Sequence, residues 1–196
     1  MINEVNNNHV FDKEISYIKN ESYKKDLKFL ISKIPSYFYQ VPASSTGKYH
    51  PSFSLGDGGL VRHTKAAVKI AYSLLNNPVI GNKYTSDEQD IMLIGLIMHD
   101  TLKSGIEKSE YTVANHPLLS ANLILENKNN LSFNDEELEL LTSVIKSHMG
   151  PWNKDYQKNE ILPLPKTKYQ NFVHMCDYLS SQKFLDIKFD NNEIVE

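Results

Sequence analysis

A single cysteine, Cys176, stands in the 196 residues, so no disulfide can form within the chain. That excludes the stapled scaffolds of oxidising compartments and predicts a cytoplasmic setting. Long apolar runs are scarce as well. The best of them, IMLIGLIM at 91–98, falls far short of the roughly 20 residues a membrane helix needs, so no membrane partner is expected. The opening MINEVNNNHVFDKE is polar and acidic and lacks the basic-then-apolar pattern of a secretory leader. There is no excess of positive charge: 21 Lys and Arg face 24 Asp and Glu, a net charge of −3, which leaves no global footprint for a long polyanion. Period-2 alternation is missing except for short pieces at 184–190, and no internal repeat is visible.

What is present is helical periodicity. Leu27, Leu30, Ile31 and Ile34 recur at helix spacing over residues 11–34, and Pro35 stops the run. Residues 35–59 hold three prolines and four glycines and read as a long ordered loop, because Tyr37, Phe38, Tyr39 and Phe53 need burial. A helix follows over 60–75. Ser86 with Gln89 forms a capping box for the next, expected over 87–100, whose stretch 91–98 is apolar on nearly every side and therefore central. Pro117 suits the first turn of a helix to about 125. Asn134 with Glu137 caps another that ends near His148 and is closed by Gly150. A Pro-rich loop over 150–166 carries the one tryptophan, and a last helix runs over 167–183. The pattern predicts an all-α fold. Its expected divisions are an N-terminal helix and loop (1–57, with 1–10 loose), a main helical domain (58–190) and a tail (191–196).

Histidine and aspartate supply the chemistry. His63, His99, Asp100, His116, His148, Asp177 and His174 all fall on or beside expected helices. Neutral imidazole and carboxylate are ordinary ligands for divalent metals. Any one histidine is more often a packed or surface residue; the argument rests on the set. His99 and Asp100 end the most apolar helix, where an unpartnered charge costs several kcal/mol, on the order of known desolvation penalties. A bound cation removes that cost. Lys103 lies three residues after Asp100 and four after His99, on the same side. It suits charge stabilisation at a phosphoryl group, and equally suits a solvated surface.

The ordered series His63, His99–Asp100, Asp177 resembles the H…HD…D pattern of the HD superfamily of metal-dependent phosphohydrolases. The segments GGLVRHT, LIGLIMHDTLKSG, NHPLLSANLIL, VIKSHMG and LPLPKTKYQNFVHMCDYLSSQK each resemble a segment of that superfamily. The last is similar to the closing helix of the HD domain in YhaM-type 3′-to-5′ exoribonucleases and related phage and bacterial proteins. The resemblance covers about 58–190. It implies an HD-domain helical bundle with His63, His99, Asp100 and Asp177 around one metal. It further implies Asp100 as a bridge to a second metal held by His116 and His148, with Asp100 and Lys103 as catalytic groups. Two divalent ions are expected, drawn from Mn, Fe, Ni, Co, Zn or Mg. Thr101-Leu102 replaces the usual Ile-Gly. No GYP signature follows, nor the Glu-Asp pair of ppGpp hydrolases, and Lys103 stands where deoxynucleoside monophosphatases carry Glu.

Other features are weaker. The loop PASSTGKYHPSF before His63 offers Lys48 and His50 as substrate contacts, though it is no Walker A loop. Arg62 suits a phosphate or a structural salt bridge. Gly58-Gly59 would let a phosphate reach the N-terminus of the His63 helix, or simply ease its start. Trp152 suits base stacking or a loop anchor, and His174 suits core packing or support of the metal shell. The expected substrate is a small nucleotide or short oligonucleotide, since 196 residues leave no room for the added nucleic-acid-binding domain of the exoribonucleases. The competing readings are a non-catalytic metal-stabilised module that binds a nucleotide or partner, and a di-iron oxygenase. The sequence carries no signal for oligomeric state.

Overall fold

A computed structural model describes residues 9–47, 50–183 and 188–195. Among them the fold is all-α: α1 (Asp12–Ser16), α2 (Glu21–Ile31), α3 (Gly59–Leu75), α4 (Pro78–Gly81), α5 (Ser86–Met98), α6 (His116–Glu126), α7 (Asp135–Lys146) and α8 (Lys168–Ser180). A small antiparallel hairpin, β1 (Phe189–Asp190) with β2 (Glu193–Ile194), completes the described part. No helix among the described residues is long and apolar enough to cross a membrane.

Helix α5 is the axis of the bundle. Every residue from Asp90 to Met98 is buried, as its apolar circumference requires. It packs against α2, α3, α7 and α8. Gly95 permits a close approach of α7: a Cβ there would sit 2.8 Å from Val144 Cγ2. Glycine weakens a helix by about 1 kcal/mol relative to alanine, a cost offset here by helix contact. The cap of α5 lies one residue earlier than the sequence suggested. Thr85 Oγ1 accepts from Glu88 N at 3.2 Å, and Glu88 Oε2 accepts from Thr85 N at 2.7 Å. The box at Asn134 and Glu137 forms where expected, and a third joins Thr167 to Gln170.

The helix expected over 11–34 is broken in two. Asn20 takes an extended conformation and its side chain caps Ser22 N and Tyr23 N. The amides of Lys19 and Asn20 donate instead to Asp90 Oδ2, at 2.9 and 2.8 Å. A capping side chain and a buried carboxylate on α5 thus outcompete continuous helix.

The 35–59 loop is ordered where described, with Phe38 fully buried and Tyr37 nearly so. Tyr37 Oη donates to Gly105 O at 2.6 Å, which ties the loop to the turn after Asp100. The expected tail at 191–196 is in part the hairpin. Asn191 and Asn192 both have positive φ, as a tight two-residue hairpin turn requires. Its first strand falls in the region flagged at 184–190, of which 184–187 lie outside the described residues, as do residues 1–8 of the expected loose start.

Candidate metal centre

Four helix-end segments bring the histidines together. His63 sits in the second turn of α3, His99 follows the last residue of α5, His116 opens α6, and His148 follows α7. Asp177 comes from α8, which packs along α3. All four histidines and Asp100 are 1 % exposed or less, so whatever balances their polarity must lie among themselves or in a ligand.

The backbone fixes the tautomers. The Nδ1–H groups of His99, His116 and His148 donate to the carbonyls of Leu96, Val113 and Ile145, at 2.7, 2.8 and 2.7 Å. A carbonyl only accepts, so in the neutral ring the lone pair belongs to Nε2. His63 reaches the same state through Ser180. Ser180 Oγ–H donates to Asp177 O at 2.7 Å, leaving its oxygen to accept from His63 Nδ1–H at 3.0 Å. Ser180 escaped the sequence reading; its signal is a hydroxyl one turn after Asp177, on the same face.

Four Nε2 atoms therefore point inward around two carboxylates. Asp100 divides its oxygens. Oδ2 lies 3.3 Å from His99 Nε2 and 3.7 Å from His63 Nε2, while Oδ1 lies 2.9 Å from His116 Nε2 and 3.6 Å from His148 Nε2. Asp177 Oδ1 lies 3.0 Å from His63 Nε2 and 3.4 Å from His99 Nε2. Lys103 Nζ approaches Asp100 Oδ2 to 2.5 Å. His63 Nε2, His99 Nε2 and Asp100 Oδ1 have no hydrogen-bond partner of acceptable geometry. Orphaned buried atoms of this kind are rare and need an explanation.

The charges follow the geometry. Burial alone raises a carboxyl, yet Asp100 is held well below the ordinary range by Lys103, His99 and its contacts with His116 and His148. Asp177 is likewise held low against burial by His63 and His99. His99 is pushed up to about 10: burial opposes its charge, but Asp100 and Asp177 outweigh that. His63 and His116 move down, chiefly by burial.

Two ligand sets have donor atoms all within 4.8 Å of one another: His63, His99 and Asp177, and His99, Asp100 and His148. These buried His and Asp groups fit a divalent metal ion by donor type, lone-pair direction and unpaired atoms. In the turn after Asp100, which holds Thr101 and Leu102, the residue of positive φ is Gly105. Thr101 Oγ1 donates to Met98 O, and Leu102 N to Ser120 Oγ.

A cavity of about 620 Å³ opens over the centre. Asp100, Lys103, His116, His148, His63 and Asp177 line its depth. His50, Ser44, Ser45 and Thr46 of the 35–59 loop line one wall, and Trp152, His174 and Tyr178 line another. His50 meets His63 edge-on at 5.2 Å between ring centres. Its pKa falls to about 3 through burial and the neighbouring His63 and Lys103, so it stays neutral. Lys48 lies outside the described residues.

Two expectations move elsewhere. Arg62 is turned from the cavity: its guanidinium donates to the carbonyls of Phe53, Leu55 and Asp57 and to Asn192 Oδ1. It staples the loop and hairpin to α3, the structural outcome, though through carbonyls rather than a salt bridge. The N-terminus of α3 is closed to phosphate, because Gly58 N, Gly59 N and Leu60 N donate to Gln40 O, Gly56 O and Val41 O. A Cβ at Gly59 would meet Ser54 O at 2.2 Å, so glycine serves close loop packing there.

His174 supports the centre directly. Its Nδ1 lies 2.6 Å from His148 O, which ties α8 to the segment that carries a ligand. Comparison with protein-family profiles, curated proteins and solved structures returns no match at any of the three levels.

Proposed function

We propose that this chain is an HD-type, metal-dependent phosphohydrolase that cleaves a phosphate ester of a nucleotide or short oligonucleotide. The observation that carries the reading is Asp100, fully buried, with one oxygen facing His63 and His99 and the other facing His116 and His148. A carboxylate divided between two histidine pairs is what a pair of divalent ions would share. His63, His99, Asp100 and Asp177 would hold the first, and Asp100, His116 and His148 the second. Such ions would acidify a water molecule and withdraw charge from a phosphoryl group.

The chain's own residues supply the rest. Each Nδ1–H contact holds its imidazole ready without reorganisation. Lys103 is paired with Asp100 at 2.5 Å; its ammonium would be available to a phosphoryl oxygen if Asp100 were to serve as a metal ligand. Neutral His50 and the hydroxyls of Ser44, Ser45 and Thr46 would offer hydrogen bonds from the cavity lining. The deep position of the ligands keeps bulk water from competing with these contacts.

Metal analysis of the purified protein, with hydrolysis of bis-p-nitrophenyl phosphate and of short RNA, tests the reading. Asp100→Ala serves as the control. Two metals per chain with Asp100-dependent hydrolysis is the expected result. Bound metal without hydrolysis of any phosphoester would sink the enzyme and leave a non-catalytic metal-stabilised module.

A further inference from the structure

Trp152 and Tyr178 are stacked, with ring centres 5.8 Å apart and planes within 17° of parallel. Both remain open to solvent: Trp152 is 56 % exposed and Tyr178 40 %. A loop anchor buries its ring; this pair keeps an apolar face in water on the wall of the cavity that holds the histidine centre. Such a face calls for a ligand rather than for core packing.

The pair is also built into the ligand framework. Tyr178 follows Asp177 on α8, and Trp152 lies four residues after His148. His174 stands between the two segments, bonded to His148 O at 2.6 Å, with its ring centre 6.4 Å from that of Trp152 and 6.2 Å from that of Tyr178. Gly150 makes room for it: a Cβ there would come within 2.2 Å of His174 Cε1, and φ is +56°. The aromatic wall and two metal-ligand segments therefore keep a fixed relation to one another.

We infer that Trp152 and Tyr178 form a nucleobase-binding subsite, against which the base of a nucleotide stacks while its phosphate reaches the histidine centre. The inference rests on the phosphohydrolase reading for the placement of the phosphate. The nucleobase is a planar group that phosphate esters commonly carry, and stacking on indole and phenol rings is how proteins hold a base without reading its edge. A cavity of about 620 Å³ lies in the range of small-molecule sites.

Trp152 is the chain's single tryptophan, so its fluorescence reports on the subsite without turnover. The metal-loaded protein is titrated with adenosine 5′-thiomonophosphate, which resists hydrolysis, and in parallel with ribose 5-thiophosphate, which carries the same thiophosphate and lacks the base. Saturable quenching by the nucleotide, with at least tenfold weaker response to the sugar thiophosphate, is expected. Tyr178→Ala retains the reporter and should weaken nucleotide binding about tenfold, the scale of one lost stacking partner, whereas Tyr178→Phe binds as the parent does. Melting temperature and metal content verify that each variant is folded and loaded. Equal responses to the two ligands, no response to the nucleotide, or parental binding by folded Tyr178→Ala would overturn the subsite. Hydrolysis of a simple ester without base-dependent quenching removes this inference alone; base-dependent quenching without any hydrolysis removes the enzyme reading alone.

Discussion

Helix α3 carries two buried polar clusters on nearly opposite sides, because His63 and Lys65 are two residues, about 200°, apart on it. At one side stands the histidine centre. At the other, Lys65 is fully buried, with Nζ 2.5 Å from Glu193 Oε1 of the hairpin and 3.5 Å from Glu14 Oε2 of α1. Both clusters gather two carboxyl groups, and Glu14 responds in the direction opposite to Asp100 and Asp177. Glu14 is raised, mainly because burial outweighs Lys65. Asp100 and Asp177 are lowered despite burial, because Lys103 and the histidines surround them. The Lys65 cluster can settle its excess negative charge with a proton on Glu14. The histidine centre keeps its carboxylates charged and adds unpaired nitrogen lone pairs, a composition that a metal ion completes. Burial of charge alone therefore does not mark a site; the donor set and the open cavity do.

Removing one group from each cluster breaks the comparison most sharply. Asp100→Ala should abolish metal retention, measured by elemental analysis, and reduce phosphoester hydrolysis by about a thousandfold or more. It should also erase the metal-induced rise in melting temperature, since an ion that binds only the folded state stabilises by about 2.7 kcal/mol at a hundred times its Kd. Lys65→Ala should destabilise by about 3–5 kcal/mol in urea unfolding, because it strands Glu14, yet leave that metal-induced rise in place. A loss of metal on Lys65→Ala in folded protein would mean the two clusters are one system.

Smaller changes sharpen it. Ser180→Ala removes the acceptor for His63 Nδ1 and should weaken metal binding about 10–100-fold, read by competition with a chelator, with Tm of the metal-free protein nearly unchanged. The least effect concerns pH. The folded pKa of Glu14 lies above its unfolded value, so its protonated form favours the fold: that contribution is full below the unfolded value and is lost as pH rises through the folded one. Lys65→Met removes the cation that opposes this shift. Its Tm should therefore rise, relative to the parent, on acidification from pH 7 to 5; a flat difference would show that Glu14 does not balance the cluster.

Much of this was legible from the residues. The apolar circumference of 91–98 located the central helix, and the series His63, His99, Asp100, His116, His148, Asp177 converges on one cluster, all but His99 lining the cavity. What stayed hidden depended on partners distant in the chain. The break at Asn20 follows from Asp90, seventy residues away. Arg62 suited a phosphate or a salt bridge because a sequence does not reveal that three loop carbonyls and Asn192 claim its guanidinium. Lys65 and Glu14 gave no signal, since charged residues on a helix ordinarily read as its solvated face. Trp152 stood as a lone aromatic until Tyr178 was brought beside it.

The Nδ1 contacts carry a consequence for the order of assembly. His99, His116 and His148 each bond a carbonyl three residues earlier in their own segment, so three of the four imidazoles are oriented by short-range chain geometry. His63 is the exception: it waits for Ser180, 117 positions later. The docking of α8 on α3 thus delivers Asp177 and sets the last imidazole in a single event. Until that helix arrives, the set His63, His99 and Asp177 lacks Asp177 and an oriented His63, whereas His99, Asp100 and His148 need nothing from α8, so a form truncated before α8 should lose the first set alone.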